Sequence, residues 1–398
     1  MKNGNQLRIF FCLNESGCAF WRGRLPAEHI RRQGLAEVIV FSLSETTPAE
    51  MQPILSWANM IIAQTPAGAE AVCILSAYQK MGKMVVCDYD DLIFNANPYN
   101  PAYKTLGLKE VKVRLHDDQS KERWLWKDGV EGFSLSDNRM RFMSFQDILH
   151  FANAVTTTTS HLKNEYVKLL KDSAPPNSPT DYGAKIHVIP NSVDFDRFRP
   201  FDQRRRDHSK LRIGWTASSS HICDFFMVED VICDALKKWP TLQFVIAGDV
   251  TQFQTSRRIP QTALELHGWT DLSVYPMKLA SLEIDIGICP LQDNEFNRAK
   301  SALKWSEFGA LGIPCVVSDL PSYECVRHDQ DGLKARADNV VQSSDWIQQL
   351  GRLIEDPALR LRLGTSARER NFQDFNIATN ARLWVGAYSQ KLEEAHAR

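Results

Sequence analysis

Two successive series of short apolar segments constrain the fold of this 398-residue chain more than any other feature. Each segment has the composition of a buried strand, and longer stretches with helical periodicity separate consecutive segments. This alternation is typical of parallel α/β sheets, in which helices form the crossover connections. Because the second series begins anew near residue 211, we predict two doubly wound, Rossmann-like α/β domains rather than one.

The chain length also favours two domains, since a single hydrophobic core rarely serves so many residues. The predicted strands are 7–12, 37–41, 59–63, 84–88 and 154–158 in the first series, and 211–215, 242–248, 264–268, 285–289 and 314–318 in the second. We place the first domain at 1–200, with an irregular insertion at about 95–150. The second domain is placed at 201–378, after a polar linker around 200–210.

Composition excludes several other classes of protein. No apolar run approaches the roughly 20 residues that span a bilayer, and the N-terminal segment lacks the cleavage site of a signal peptide. The nine cysteines have irregular spacings without a CxxC pair, which argues against a metal site or a disulfide framework. A formal net charge of −1 does not favour binding to polyanions. We therefore expect a cytoplasmic protein with no transmembrane segment.

The strongest chemical signal is the continuous segment 285–326, DIGICPLQDNEFNRAKSALKWSEFGALGIPCVVSDLPSYECV. It predicts a strand, a polar loop, a helix, a Gly-Ile-Pro turn and a second strand. A helix beginning in NEFNRAKS would offer its free N–H groups to an anion, and Arg298, Lys300 and Lys304 add positive charge. Lys300 and Lys304 are predicted on one face of that helix, with Glu307 one turn later. A carboxylate there can accept both hydroxyls of a ribose, although an amphipathic surface helix with a Lys–Glu pair is the alternative.

The segment resembles the donor-binding region of the GT-B glycosyltransferases, specifically the retaining family 4. In that family a Glu-x7-Glu pattern precedes a Gly-(Ile/Leu)-Pro-Val-Val turn. Glu307 falls on the second glutamate, which by the resemblance contacts the ribose of the donor, and Ala299 replaces the first. Lys300 and Ser301 stand where the family places backbone that contacts phosphate.

Two other segments resemble the same family. IHVIPNSVDFDRFRP at 186–200 is similar to its interdomain phrase, and LRIGWTASSSHICDFF resembles its Gly-Arg-x5-Lys phosphate motif. Trp215 and Ser220 occupy the positions of that Arg and Lys. The resemblance therefore implies that Arg298, Lys300 or Lys304 supplies the positive charge, with His221 either contributing or serving as a packing residue. The donor-binding candidates in this segment are Gly214, Trp215, Thr216 and His221.

The segment HGWTDL at 267–272 resembles the part of the family whose backbone meets the nucleotide base. Trp269 would stack on that base or serve in packing. The resemblance also implies that the last helix, about 379–398, returns to the first domain.

In the first domain, two segments follow predicted strands and are candidates for the catalytic side. NESGCAFWRGR contains Gly17, which permits close backbone approach, and Arg22, which would reach a donor phosphate or an acceptor. A simple βα turn, or a solvated helix face for the basic residues, is the alternative. CDYDDLIF places Asp90 and Asp91 where a carboxylate would bind or deprotonate an acceptor hydroxyl, or cap the next segment. Asp88 and Asp90 also resemble the Asp-x-Asp metal motif of GT-A enzymes, but both series are complete Rossmann-like units, so we predict no donor metal.

These observations predict a metal-independent glycosyltransferase that needs no cofactor. Its donor would be a UDP- or GDP-sugar, and by resemblance the reaction retains anomeric configuration. The acceptor stays open between a saccharide, a lipid-linked glycan, a protein and a modified nucleobase in DNA. A sugar-nucleotide epimerase and a non-catalytic nucleotide-sugar binding module are the alternatives. Turnover of a donor would separate a transferase from the binding module.

Overall fold

The computed structural model describes residues 7–14, 17–42, 48–114, 122–175, 180–198, 210–253, 258–337 and 344–396. The chain divides into two units, the first made of residues 1–190 and 379–398 and the second of residues 191–378. The boundary therefore falls ten residues before the predicted one at 200, and most of the predicted linker, residues 199–209, lies outside the described residues.

The first unit contains eight strands among its described residues. They are β1 (Arg8–Leu13), β2 (Glu37–Ser42), β3 (Met60–Gln64), β4 (Met84–Tyr89), β5 (Val111–Arg114), β6 (Glu122–Trp126), β7 (Ala154–Thr157) and β8 (Ile186–Val188). All except β5 and β6 form one parallel sheet in the order β2-β1-β3-β4-β7-β8. The sheet has near-continuous apolar strands because helices cover both faces of a parallel sheet.

Seven helices of the first unit connect these strands in the described part of the chain. They are α1 (Leu25–Arg32), α2 (Pro48–Trp57), α3 (Ala69–Lys80), α4 (Tyr103–Leu106), α5 (Leu135–Phe151), α6 (Ser160–Asp172) and α7 (Tyr182–Lys185). Helix α1 has Pro26 in its first turn and Gly34, with φ +63°, just after its end, as the sequence predicted. A short π-helical turn, Phe20–Arg24, precedes it.

In its described residues, the insertion predicted at about 95–150 contains α4, the antiparallel strand pair β5–β6 and the 17-residue helix α5. The rings of Tyr103, Trp126 and Phe133 pack together, with centroids 5.6–6.1 Å apart. This segment therefore has its own small aromatic core.

The second unit contains six strands among its described residues. They are β9 (Leu211–Ala217), β10 (Leu242–Gly248), β11 (Leu264–His267), β12 (Ile286–Cys289), β13 (Cys315–Ser318) and β14 (Leu333–Ala335). They form a second parallel sheet in the order β11-β10-β9-β12-β13-β14. Its helices are α8 (Phe195–Phe198), α9 (Ile222–Phe226), α10 (Glu229–Lys238), α11 (Tyr275–Ser281), α12 (Glu295–Arg298), α13 (Leu303–Ala310), α14 (Ser344–Glu355) and α15 (Pro357–Asp374). The last helix, α16 (Ile377–His396), begins in this unit and continues in the first.

The ten strands predicted from apolar segments are all present, with ends displaced by at most two residues. The fold class, two doubly wound parallel α/β sheets, is therefore confirmed. Cys87, Cys289 and Cys315 are fully buried in β4, β12 and β13, as expected for core residues.

Candidate functional site

The strand order of the second sheet defines where a ligand is expected. β9 lies between β10 and β12, and the chain builds the sheet in opposite directions from this point. In open α/β sheets ligands bind beyond the carboxyl ends of the strands at such a switch point. The segments that follow β9 and β12, residues 218–226 and 290–310, both carry buried polar side chains at that edge.

The central feature of this edge is a hydrogen-bonded chain that ends on a lysine, which we name the Lys304 network. The Lys304 Nζ donates to His221 Nε2 at 3.0 Å, and His221 Nδ1 lies 2.8 Å from Asp224 Oδ2. The other carboxylate oxygen of Asp224 accepts from the Asn297 side-chain amide at 2.7 Å and from the Gln292 backbone N–H at 2.9 Å. Asp224 thereby joins α9 to the loop after β12.

Electrostatics assign the protons of this network. Burial and the ammonium groups of Lys304 and Lys300 lower the pKa of His221 to about 4, although the hydrogen bond to Asp224 opposes this shift. His221 is therefore neutral near pH 7, and its Nδ1–H donates to Asp224 while Nε2 accepts from Lys304. The expectation that His221 adds positive charge is not supported by this arrangement.

A second group of polar side chains lies beside the Lys304 network. The Tyr275 hydroxyl donates to Glu307 Oε2 at 3.1 Å and also hydrogen-bonds to Thr216 at the end of β9. Glu307 is only 6% exposed. Burial raises the pKa of Glu307 to about 7, against the opposing effects of Lys304 and Tyr275. Burial and the nearby Lys300 lower the pKa of Lys304. The loss of solvation therefore disfavours the charged forms of both Glu307 and Lys304.

We predict that Glu307→Gln stabilises the unliganded protein at pH 8 and has little effect at pH 5. Because the folded-state pKa of Glu307 is raised to about 7, the folded protein retains a proton that the unfolded chain releases. The contribution of Glu307 to stability therefore falls as pH rises from about 4.5 to 7. Neutral glutamine avoids this loss, and we expect the melting temperature to rise by about 2–4 °C.

The matched control is Glu295→Gln, which neutralises an exposed glutamate of α12. It should change stability by less than about 0.5 kcal/mol at either pH. Differential scanning calorimetry at both pH values measures the effect. An unchanged or lower melting temperature of Glu307→Gln at pH 8 would show that the charged carboxylate is not destabilising.

The prediction that Lys300 and Lys304 lie on one helix face is wrong. Helix α12 ends at Arg298, and α13 begins at Leu303. Lys300 lies in the break between them, with its ammonium 4.5 Å from the centre of the Phe296 ring. It is therefore not on one helix face with Lys304, which occupies the first turn of α13.

The other predicted residues of this segment have partners within the second unit. Arg298 forms a two-point ion pair with Asp293, at 2.5 and 2.8 Å, on the surface. Ser301 Oγ accepts a hydrogen bond from the Asn191 side chain at 2.9 Å. Asn191 belongs to the segment 186–200 that resembles the interdomain phrase of family 4, so this segment contacts the α12–α13 break. Of the three candidate cations, Lys304 is the one held inside the polar network.

Two donor-binding candidates on β9 have packing roles in the structure. Trp215 is 2% exposed and packs against Phe225 and Phe253 with centroids 5.0 and 5.6 Å away. A Cβ atom on Gly214 would lie 2.3 Å from the Ile284 side chain. Direct donor contact by the Trp215 side chain is therefore not supported, because its ring lies in the hydrophobic core.

Two other candidates are exposed. Trp269 follows β11 and is 62% exposed, so its ring is available for stacking. Gly17 is exposed, and a Cβ there would meet nothing within 4 Å. Both assignments stay predictions.

In the first unit, Arg22 is part of a buried ion pair. Its Nε and NH2 donate to the two oxygens of Asp88 at 3.1 and 2.6 Å, and its NH1 donates to the Ile189 carbonyl at 2.6 Å. The guanidinium also lies 4.5 Å from the centre of the Trp384 ring in α16. Both side chains of the pair are inaccessible to solvent. Direct contact of Arg22 with a phosphate or an acceptor is therefore not supported, because its donors are used inside the unit.

Asp90 and Asp91 follow β4 and are partly exposed. Their backbone carbonyls accept hydrogen bonds from Thr158 Oγ1 at 3.0 Å and Tyr166 Oη at 2.7 Å. These contacts fix the segment, and the acceptor role of the two carboxylates stays a prediction.

Sequence reasoning missed three members of the site: Asp224, Asn297 and Tyr275. Asp224 lies three residues after His221 in SHICD, and this His-x-x-Asp spacing is the one local signal of the contact. The partners of the other two are 73 and 32 residues away in the sequence, and no local pattern reports such contacts.

Two features are absent from the described residues. Among them, no cluster of three or more His, Cys, Asp or Glu side chains could hold a metal ion. In the same part of the chain, no helix combines the length and the apolar character that a membrane crossing requires.

Sequence similarity to known proteins extends over only part of the chain. No protein-family profile matches the chain. A Bacillus subtilis (strain 168) protein, assigned to teichuronic acid biosynthesis as the glycosyltransferase TuaH, is 29% identical over 216 residues. This match spans 50% of the chain and 49% of that relative, so the chain covers about half the length of the curated relative.

Comparison of the fold gives nearly complete coverage. Anabaena HepE, solved with UDP and glucose, has a TM-score of 0.62 at 12% identity, covering 97% of this chain and all of HepE. A Rickettsia africae glycosyltransferase reaches 0.64 at 12% identity, over 98% and 99% of the two chains. Sucrose-phosphate synthase from Thermosynechococcus elongatus reaches 0.62 at 13% identity, over 97% and 99%. The chain therefore has the two parallel-sheet α/β domains of these GT-B structures, as the sequence predicted.

Proposed function

We propose that this protein is a glycosyltransferase that moves a sugar from a nucleoside-diphosphate sugar to an acceptor. The observation that carries the proposal is the placement of Lys304 and Glu307 on the first turns of α13, at the carboxyl edge of the β9–β12 switch point. A partly buried ammonium there suits a diphosphate, and a buried carboxylate suits the hydroxyls of a ribose.

The chemistry follows from the charge that develops on the leaving group. When the bond between the anomeric carbon and the diphosphate breaks, negative charge grows on the diphosphate oxygens. A fixed ammonium in a poorly solvated place stabilises that charge more than water does. Asp90 or Asp91 is the proposed partner of the acceptor hydroxyl, and retention of configuration, as in family 4, is part of the proposal. No cofactor is required, because the nucleotide sugar is a substrate.

The comparisons support this proposal at the level of the donor. HepE was solved with UDP, with UDP and glucose, and with UDP-glucose, which favours UDP over GDP as the nucleotide. The partial relative is assigned to teichuronic acid biosynthesis, which favours a saccharide acceptor. A sugar-nucleotide epimerase is less favoured, since it needs further acids, and the carboxylate of the Lys304 network, Asp224, is held by His221, Gln292 and Asn297.

A thermal-shift screen followed by a turnover assay tests the proposal. UDP, GDP and their glucose, N-acetylglucosamine, mannose and glucuronic acid conjugates are compared at equal concentration. A ligand present at 100 times its Kd stabilises the folded state by about 2.7 kcal/mol, so at least one should raise the melting temperature. Slow hydrolysis of that donor without an acceptor would support a transferase over a binding module. If no nucleotide shifts the melting temperature, the proposed function is wrong.

We predict that activity survives removal of divalent cations. The proposed stabilisation of the diphosphate depends on Lys304 rather than on a donor metal. Turnover in the presence of about 5–10 mM EDTA should remain within about twofold of the turnover of the untreated enzyme. The comparison is the same assay with added manganese or magnesium. Loss in EDTA that either metal restores would contradict the prediction and make Asp90 a candidate ligand.

A further inference from the structure

The partners of Lys304 suggest a role for a histidine that carries no charge. A flexible four-carbon side chain can place its ammonium in many positions, and holding it in one costs side-chain entropy. Lys304 donates to His221 Nε2 at 3.0 Å, in a sheltered place where His221 is 8% exposed. The acceptor of this hydrogen bond is a neutral ring rather than a carboxylate. Glu307, one turn later in α13, acts on Lys304 through space, and burial raises the pKa of Glu307 itself.

The histidine is itself fixed from its other side. Asp224 Oδ2 lies 2.8 Å from Nδ1, and Asp224 is held by Asn297 and by the Gln292 N–H. With Nδ1–H directed at Asp224, the lone pair of the ring belongs to Nε2 and points to Lys304. Burial and the ammonium groups of Lys304 and Lys300 lower the pKa of His221 and keep the ring neutral, although Asp224 acts in the opposite direction.

From this geometry we propose that His221, oriented by Asp224, is the positioning residue of Lys304: its unprotonated Nε2 holds the ammonium where the diphosphate of the donor binds. A carboxylate in the same place would fix Lys304 equally well but would cancel its charge. A neutral acceptor fixes the position and preserves the charge for an anion. The inference rests on the proposed function for the ligand, but the Lys304–His221 contact can be tested without it.

Two substitutions separate the two nitrogen atoms of the ring. His221→Gln can place its Oε1 near the former Nε2 position and accept from Lys304. His221→Asn can place its Nδ2 near the former Nδ1 position and donate to Asp224, but it does not reach Lys304. Both replace the ring with a neutral amide, so a purely structural role would make both variants similarly defective. A positioning role makes only the asparagine variant defective.

The first measurement uses the unliganded protein and an amine-acetylating reagent at pH 7.5, with mass spectrometry of the Lys304 peptide. A hydrogen-bond acceptor stabilises the charged, unreactive form of the amine. We therefore expect Lys304 to react at least about threefold faster in His221→Asn than in wild type, with His221→Gln close to wild type. The exposed Lys237 serves as the internal reference. Equal Lys304 rates in all three proteins would overturn the proposal, whatever the ligand.

The second measurement uses whichever nucleoside diphosphate raises the wild-type melting temperature, and its donor sugar. His221→Asn should lower kcat/KM at least tenfold, and His221→Gln should remain within about threefold of wild type. An inactive Lys304→Met variant together with a fully active His221→Asn variant would overturn the positioning role and leave the proposed function standing. Failure of every nucleotide to bind would instead overturn the proposed function, while the acetylation rates still decide the Lys304–His221 contact.

Discussion

Replacing Arg22 with alanine is expected to destabilise the first unit by about 3–5 kcal/mol. The substitution leaves the Asp88 carboxylate buried with Thr156 Oγ1 at 2.6 Å as a remaining hydrogen-bond donor. Breaking a buried ion pair from one side costs this much because an uncompensated charge stays behind. The variant also loses the guanidinium that links β4, the Ile189 carbonyl and the Trp384 ring. Urea unfolding followed by circular dichroism measures the loss.

Arg24→Ala provides the control, since Arg24 is exposed at the end of the same short helical turn. It should cost less than about 1 kcal/mol. The double variant Arg22→Ala/Asp88→Ala should lose less than the sum of its two single variants, since the pair is removed together. If Arg22→Ala unfolds at the same urea concentration as Arg24→Ala and yet loses turnover, Arg22 acts on a ligand and the structural assignment is wrong.

The sequence predicts the sheets well because buried parallel strands leave a strong local signal. Apolar runs bounded by polar turns locate ten strands to within two residues. Because these strands are apolar along their whole length, the sequence does not show which face of the sheet each side chain occupies. Trp215 and Thr216 are neighbours in β9, and the first enters the hydrophobic core while the second hydrogen-bonds to Tyr275. Alternation of this kind is not visible in a strand that is apolar on both faces.

The site is predictable only in part, and the errors have a common physical origin. Lys304 and Glu307 are found because a local segment, strand–loop–helix–turn, carries them. The break between α12 and α13 is missed because no glycine or proline marks it. Its polar residues instead find distant partners, Asn297 with Asp224 and Ser301 with Asn191. Tertiary hydrogen bonds of this kind override local helix propensity.

Arg22 shows a different kind of error. The sequence pattern predicts that a basic residue near a strand end contacts a ligand, whereas the structure places Arg22 in a buried ion pair with Asp88. The same sequence position suits a βα turn and a buried ion pair. The deciding partner, Asp88, is 66 residues away. Because a charged side chain is almost never fully buried unless it is paired, burial of this segment in the first unit requires an ion pair for Arg22. The local pattern contains no information on which carboxylate supplies it.

Lys304→Met is expected to lower kcat/KM by about tenfold to a hundredfold while leaving the protein folded. Charge-assisted contacts are worth roughly 1.5–3 kcal/mol each, and one made with a departing diphosphate matters most as its charge grows. The fold should tolerate methionine, because burial already disfavours the ammonium and lowers the pKa of Lys304. Steady-state kinetics with the donor identified by thermal shift measures the effect.

Two further lysine variants make the comparison specific. Lys300→Met removes a charge that lies over the Phe296 ring in the α12–α13 break, and its loss in kcat/KM should be smaller than that of Lys304→Met. Lys210→Met removes a lysine that bonds Gln243 at the amino-terminal end of β9, opposite the proposed site, and should leave kcat/KM unchanged. Wild-type kcat/KM in Lys304→Met would show that the diphosphate is held elsewhere. Arg298 would then be the next cation to replace, because its ion pair with Asp293 lies on the surface, where an anion can compete for the guanidinium.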